Sequence, residues 1–356
     1  VADAPAIPLR AAALVRLAEP EFWLRHLCAE LGEFGEAERD GRRGRIRIAF
    51  GTALLTARVG TLALEVEAAD ATALAFLKQA LAERLLAPGS GERPRLLWTG
   101  AGAGGGVPPY FREMRVLASR RLTPGMQRLT LGGSDLARFA HGGLHVRLLI
   151  PPRGRAPRWP SLGADGRPIW PEGADALASR VYSLRRIDPA RGEVEIDVVL
   201  HEGAEGPGAT WARRTRPGDR VGMAGPGGGD VGEAEDYLLL GDETALPAIA
   251  RILERLPAGV RARVLLEVAD AAERQALTSA AALELDWLQR DGRPAGSTTL
   301  LAEAAKALPP PDRPERFFAW AGAEQAAIGA IRDHWRGAWG LDRRRHLAAA
   351  YWRREG

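Results

Sequence analysis

Residues 237–253 read YLLLGDETALPAIARIL, and their reading decides the fold of the second half of the chain. A short apolar run suits a strand buried on both faces better than one with a wet side. Gly241 permits a sharp turn, and Asp242 or Thr244 can cap the helical stretch that comes next. RVLLEV, LELDWL and RFFAWAG repeat the strand-like texture downstream, with helical stretches after the last two. Strands alternating with helices imply a parallel sheet covered by helices. Ligands of such open sheets sit at the carboxyl ends of the strands, so Gly241, Asp242, Glu243 and Thr244 are candidates to hold a nucleotide. In the second strand Glu267 is placed to bond a ribose hydroxyl, while nearby Arg residues could equally accept a 2′-phosphate.

Upstream, from Arg112 to about Pro226, the chain is β-rich with short turns, the pattern of a barrel or sandwich. Within it lies RVYS, residues 180–183. On a strand Arg180 and Tyr182 project to one side, so a guanidinium can meet a phosphate while a phenol lies along a flat heterocycle. Ser183 points elsewhere, toward the reactive edge of such a ring. An ordinary barrel strand would carry the same four residues, but a second feature lies close behind. Gly206 and Gly208 let backbone amides approach a diphosphate, and Ala209 and Thr210 open a short helix whose positive end would face it. Asp197, Val199 and His201 alternate on the strand between; His201 is either a cofactor contact or a core histidine.

A β-barrel followed by a nucleotide-binding α/β domain is the layout of a flavin reductase, and the motifs agree. HVRLLIPP, RVYSLR, DVVLH, EGPGATWA, RPGDRVGMAGPGG, LLLGDETALPAIARILERLP, FFAWAGAEQ and YWRREG stand in the order found in the siderophore-interacting protein family, which the chain resembles from about Arg115 to Gly356. The resemblance implies an antiparallel Greek-key barrel binding FAD through Arg180, Tyr182, Ser183 and the Gly206–Thr210 turn. It implies an α/β domain binding NAD(P)H through the GDET loop, and reduction of ferric siderophores. Arg147 and Arg353 match basic positions of the family and are inferred to face the anionic chelate. The diphosphate turn departs from the family's GPAS, reading Gly206, Pro207, Gly208, Ala209, which lacks the serine hydroxyl. Rival readings keep the flavin chemistry with another acceptor, such as a quinone, a small electron-transfer protein or a free ferric chelate, or make the chain a non-catalytic carrier of ferric siderophores.

The first hundred residues read as a small α+β unit. Pro20 opens a helix through Glu30 with Trp23, Leu27, Cys28 and Leu31 on one face, and Gly32 sits where a helix end favours positive φ. Alternation at Ile46, Ile48 and Phe50, then at Leu62, Leu64 and Val66, marks strands, and Asp70 is placed to cap a second helix. Residues 89–111 are rich in glycine and proline and read as a linker. Gly100, Gly102 and Gly105 match a dinucleotide fingerprint, but Pro108 and Pro109 stand where a helix would have to start, so the match is rejected. The expected divisions are 1–100, a 101–111 linker, a 112–232 FAD-binding barrel and a 233–356 NAD(P)H-binding domain. The architecture is thus multidomain, α+β and α/β.

Cys28 is the single cysteine, which excludes an internal disulfide and a cysteine-held cluster, so redox chemistry needs another cofactor. A site made of His26 and Cys28 is rejected because the two do not share a helix face. The net charge of +4 comes from Arg scattered among acids, not gathered in a stripe, so no nucleic-acid partner is expected. No apolar run is long enough to cross a bilayer and no secretory signal is read, making a cytoplasmic address the expectation.

Overall fold

A computed structural model describes residues 7–87, 94–200 and 206–354. By contact the chain forms two compact units, one of residues 1–111 with 152–176 and one of 112–151 with 177–356.

The first unit contains β1 (Leu9–Arg16), α1 (Pro20–Gly32), β2 (Gly35–Asp40), β3 (Arg43–Ile48), β4 (Gly51–Arg58), β5 (Thr61–Ala68), α2 (Ala71–Leu85) and β6 (Thr99–Gly100). The strands form one antiparallel sheet in the order β2-β3-β4-β5-β1-β6. Alternate residues, among them Val15, Ile46, Leu55 and Leu64, bury one face against Leu24, Leu27 and Leu31 of α1 and Leu77 and Leu81 of α2. Asp70 caps α2 as expected, accepting from the Thr72 and Ala73 amides at 2.8 and 2.9 Å. Two expectations, on Gly32 and on the linker, are corrected, and the sheet gains strands the sequence did not signal. Gly32 stays inside α1 and the helical conformation continues through Glu33; its missing side chain instead makes room for Ala37. β1 and β2 join the sheet, β2 being wholly exposed and so without an apolar period to read. Leu96 and Trp98, within the expected linker, are buried in this core, and β6 extends the sheet.

The second unit begins with β7 (Phe111–Thr123), β8 (Met126–Gly132) and β9 (His145–Ile150). The chain then departs through the insertion 152–176, which holds the short hairpin β10 (Ser161–Leu162) and β11 (Pro168–Ile169), and returns as β12 (Ala178–Asp188), β13 (Glu193–Val199), α3 (Pro207–Arg214) and β14 (Arg220–Gly227). Six strands close into a barrel in the order β12-β13-β8-β7-β14-β9, where the second strand pairs the fifth in Greek-key fashion. Leu129, Leu131, Leu148, Leu184, Ile196 and Met223 fill it.

After the barrel come β15 (Asp236–Gly241), α4 (Leu246–Arg255), β16 (Arg261–Val268), β17 (Ala282–Gln289), α5 (Leu300–Ala307), β18 (Phe317–Glu324), α6 (Gln325–Gly337) and β19 (His346–Trp352). All five strands run parallel in the order β17-β16-β15-β18-β19. The α4 side chains Leu246, Ile249, Ile252 and Leu253 pack on one face; α5 and α6 cover the other with Leu301, Ile328, Ile331 and Trp335. The order reverses between β15 and β18, which opens the crevice where such sheets take ligands. Among the described residues no helix is long and apolar enough to cross a membrane.

Candidate functional site

β12 lies antiparallel to β9, with Tyr182 opposite Val146, Ser183 opposite His145 and Val181 opposite Arg147. Strand alternation turns Tyr182 toward the side of Leu184, against the barrel core, and Ser183 to the opposite face. α3 starts beside Tyr182. Gly206 is its N-cap in extended conformation, Pro207 its first residue, and no side chain caps it, which leaves its first amides for another partner. A Cβ on Gly208 would stand 1.9 Å from the Tyr182 hydroxyl and 3.4 Å from Arg180 Cγ. The fold therefore brings Arg180, Tyr182 and the Gly206–Gly208 turn together, and glycine is the residue that fits. Burial pushes the Tyr182 phenol up to about 12, so it stays protonated. Ala209 packs into the barrel core and Thr210 closes the first turn through its amide to the Gly206 carbonyl.

One neighbour is corrected, and a second is placed in the ladder. Asp197 is unavailable to a cofactor: its side chain is fully covered and its two oxygens accept from Arg128 Nε and Nη2 at 2.6 and 2.7 Å. Val199, at the end of β13, pairs with Met126 and serves the barrel ladder. His201 lies outside the described residues.

At the carboxyl end of β15 the GDET loop has a different character. Gly241 is required by packing, since a Cβ there would meet Ala245 and Ile249 at 2.7 and 2.9 Å. Neither Asp242 nor Thr244 caps α4, whose N-cap is Ala245 without a side-chain bond. The Asp242 carboxylate is already engaged two residues on, accepting from the Thr244 amide at 2.9 Å and hydroxyl at 2.5 Å, while its other oxygen accepts from Trp352 Nε1 at 2.7 Å. Burial raises its pKa to about 6 against these bonds. Glu243 forms a two-pronged pair with buried Arg290, and Glu267 accepts from Thr298 Oγ1 at 2.8 Å and the Leu301 amide at 3.3 Å. Asp242, Glu267, Arg290, Gly296, Thr298 and Glu324 line a cleft over these strand ends.

The two halves meet through residues that the motifs did not single out. β19 has an irregularity between Ala350 and Trp352 in its pairing with β18, which sets Tyr351 apart from the ladder. Its hydroxyl bonds His145 Nε2 on β9, the rings packing edge to face at 4.9 Å. Burial, then Arg251, lowers the His145 pKa, and burial raises that of Tyr351, so both are neutral near pH 7. Ser183 Oγ is buried beside Tyr351 and makes no hydrogen bond of normal geometry. Gly322 and Gly296 leave the space that Tyr351 and Trp352 occupy. The sequence signal was present in YWRREG, where two aromatics end a strand, but only their family match was readable.

These observations fit FAD. A buried Ser183 hydroxyl without a hydrogen bond of normal geometry, an uncapped helix start at Gly206 and a glycine-sized gap against Tyr182 are what a flavin with its diphosphate would complete. Arg147 lies exposed on β9 with its guanidinium on Ser179 Oγ at 2.8 Å, and Arg353 is exposed just past β19. Neither has an acidic partner among the described residues.

Residues 115–230 match the siderophore-interacting FAD-binding domain, 234–355 match siderophore-interacting protein, and 12–99 match a family described as an uncharacterized protein conserved in bacteria. The ferric vibriobactin reductase ViuB of Vibrio cholerae is 30% identical over 249 residues, 69% of this chain and 90% of its own length. The NADPH-dependent ferric-chelate reductase of Escherichia coli is 32% identical over 250 residues, 68% of this chain and 92% of its own. Among solved structures, a siderophore utilization protein from T. fusca is 36% identical with a TM-score of 0.58, covering 68% of this chain and 93% of that one. SipS from Aeromonas hydrophila is 30% identical with a TM-score of 0.58, covering 68% and 92%.

Proposed function

This chain belongs to the siderophore-interacting protein family and is an oxidoreductase of FAD and NAD(P)H, and we propose that its acceptor is a ferric siderophore, which it reduces so that iron leaves as Fe(II). The observation that carries the reading is the convergence of Arg180, Tyr182 and Gly208 at the start of α3, beside a buried Ser183 hydroxyl whose neighbour is the Tyr351 side chain. Bound FAD supplies the step between a two-electron donor and a one-electron acceptor. The protein's own residues do the rest. Arg180 and the amides of the Gly206–Thr210 turn hold the diphosphate, Tyr182 lies along the ring, and Ser183 meets its polar edge. The cleft at the end of β15, lined by Asp242, Glu267, Arg290 and Thr298, takes the nicotinamide nucleotide, and the rest of the GDET loop, Gly241, Glu243 and Thr244, supports its floor. Arg147 and Arg353 supply positive charge for an anionic chelate, whose hard-oxygen ligands bind Fe(II) less well than Fe(III). No general acid or base is assigned.

The test is anaerobic mixing of purified protein with NADH, NADPH and ferric siderophores, followed through the flavin absorbance. Bleaching by a nicotinamide and recovery on adding a ferric siderophore are expected. Protein that stays colourless with excess FAD, or reduced protein that no ferric siderophore reoxidises, would sink the proposal.

A further inference from the structure

The insertion 152–176 interrupts the barrel between β9 and β12, yet it clusters with the N-terminal domain. The contacts inside that cluster are specific. Trp98 donates to the insertion twice, from Nε1 to the Asp165 carbonyl at 2.8 Å and from its amide to the Ala164 carbonyl at 3.2 Å. The Leu162 amide donates to the Gly106 carbonyl at 2.7 Å, and these two residues form an antiparallel bridge. Close approach depends on missing side chains. A Cβ on Gly105 would stand 2.3 Å from the Leu162 carbonyl oxygen, and one on Gly166 would stand 3.1 Å from both Lys78 Cβ and Trp98 Nε1. Both glycines also have positive φ, at +83° and +86°.

Lys78 secures the other side of this junction. It is buried on α2, donates to the Ala101 and Gly102 carbonyls at 2.7 and 3.0 Å, and lies 5.5 Å from the Trp98 ring centre. An ammonium out of water is costly without such partners, so α2 fixes the loop 101–106 that grips the insertion. Inside the insertion Arg155 and Arg158 both pair with Asp175, at 3.5 and 3.3 Å, which closes its return path.

We propose that the N-terminal domain is a scaffold for this insertion, holding 152–176 in one conformation and so fixing the end of β9 and the start of β12. Those strands carry Arg147 on one side and Arg180 with Tyr182 on the other, and they pair up to Ile150 and Ala178 at the mouth of the insertion. A loop left free at its far end would let these last pairs fray. The holding is a property of the first unit by itself; only its consequence for the acceptor rests on the proposed function.

The experiment uses the full chain with FAD, and Gly105→Ala as the detaching variant. Hydrogen exchange in peptides from 152–176 is compared with that of β13, and KM for an iron(III) tris-catecholate is compared with the rate of flavin reduction by NAD(P)H. Detachment is expected to speed exchange in the insertion by about tenfold or more, with β13 unchanged. KM for the chelate should rise roughly two- to fivefold, up to the effect of losing the exposed Arg147 charge, because a misplaced strand end displaces Arg147, while flavin reduction stays within about twofold. If Gly105→Ala disturbs the N-terminal core itself, Gly166→Ala opens the same junction from the insertion's side. An insertion that exchanges as fast in the wild type as in both variants overturns the scaffold. Loosening with an unchanged KM overturns its coupling to the barrel strands. A wild-type protein that reduces no ferric chelate refutes the functional reading instead, and the exchange comparison still decides the scaffold.

Discussion

The two ends of the proposed cofactor path are built in opposite ways. At the proposed flavin end, polar groups are positioned but loosely committed: Ser183 Oγ, beside Tyr351, makes no hydrogen bond of normal geometry, the start of α3 has no cap, and Gly208 leaves a gap against Tyr182. At the nucleotide end every acid is already bonded within the protein, Asp242 to Thr244 and Trp352, Glu243 to Arg290, Glu267 to Thr298 and the Leu301 amide. Motif residues that look alike in a sequence thus divide into groups that await a ligand and groups that hold the platform. The difference predicts where a substitution harms binding and where it harms folding.

The largest effect is expected at the platform. Arg290→Leu leaves Glu243 buried without its partner and weakens the surroundings of Glu267, and breaking a buried pair in this way costs about 3–5 kcal/mol. Urea or thermal unfolding should register that loss, with FAD affinity of the folded fraction unchanged. A variant as stable as the wild type but poor in NAD(P)H use would mean that Arg290 awaits a ligand after all, and the contrast would fail.

Asp242 sharpens the same point through pH. Its carboxyl has a pKa near 6 in the folded protein against an ordinary 3.8, so the folded state holds the proton more tightly. Stability from this group is full below the ordinary value and is lost as pH rises through about 6; integrated over the shift, the loss is at most about 3 kcal/mol. Asp242→Asn cannot ionise, so its stability should fall less than the wild type's between these two values. Parallel curves for the two proteins would show that Asp242 is not buried as an acid.

At the flavin end the effect falls on affinity. Tyr182→Ala should weaken FAD by about 1–3 kcal/mol, the scale of an aromatic stacked on a heterocycle. Gly208→Val should act in the same direction by driving its Cβ into the phenol. Unchanged FAD affinity in both would place the ring on another strand.

How much of this the sequence carried depends on the kind of signal each residue leaves. Buried strands such as YLLL and FFAW were legible because apolar runs between turns have few other uses, and the parallel sheet followed from the helical stretches between them. β2 was invisible because GEAERD is exposed along its whole length and leaves no period. RVYS was legible as a candidate site because strand alternation fixes which side each residue faces. Asp197 misled for the same reason: alternation places it but does not say that Arg128, on the neighbouring strand β8, has taken both its oxygens. Tyr351 and Trp352 meet His145 and Asp242 across more than a hundred residues of chain, and no local pattern encodes such a meeting.

The smallest effect, and the most informative about the acceptor, concerns Arg147 and Arg353. Both are exposed and without acidic partners among the described residues, so their charge is free to act on a ligand but is also screened. Exposed charge contacts are worth about 0.2–1 kcal/mol, so neutralising either residue should raise KM for an anionic ferric chelate by at most about fivefold. Flavin reduction by NAD(P)H should continue nearly unchanged, because that half-reaction uses the other end of the path. Screening acts over about 8–10 Å at ordinary ionic strength, so added salt should raise the wild-type KM and move the Arg147→Ala and Arg353→Ala variants less. A neutral iron(III) chelate gives the control, since its KM should respond to neither substitution. If both variants keep the wild-type KM and salt response for every anionic chelate tried, the positive charge at these strand ends has no part in capture, and the acceptor meets the flavin by a surface that neither arginine borders.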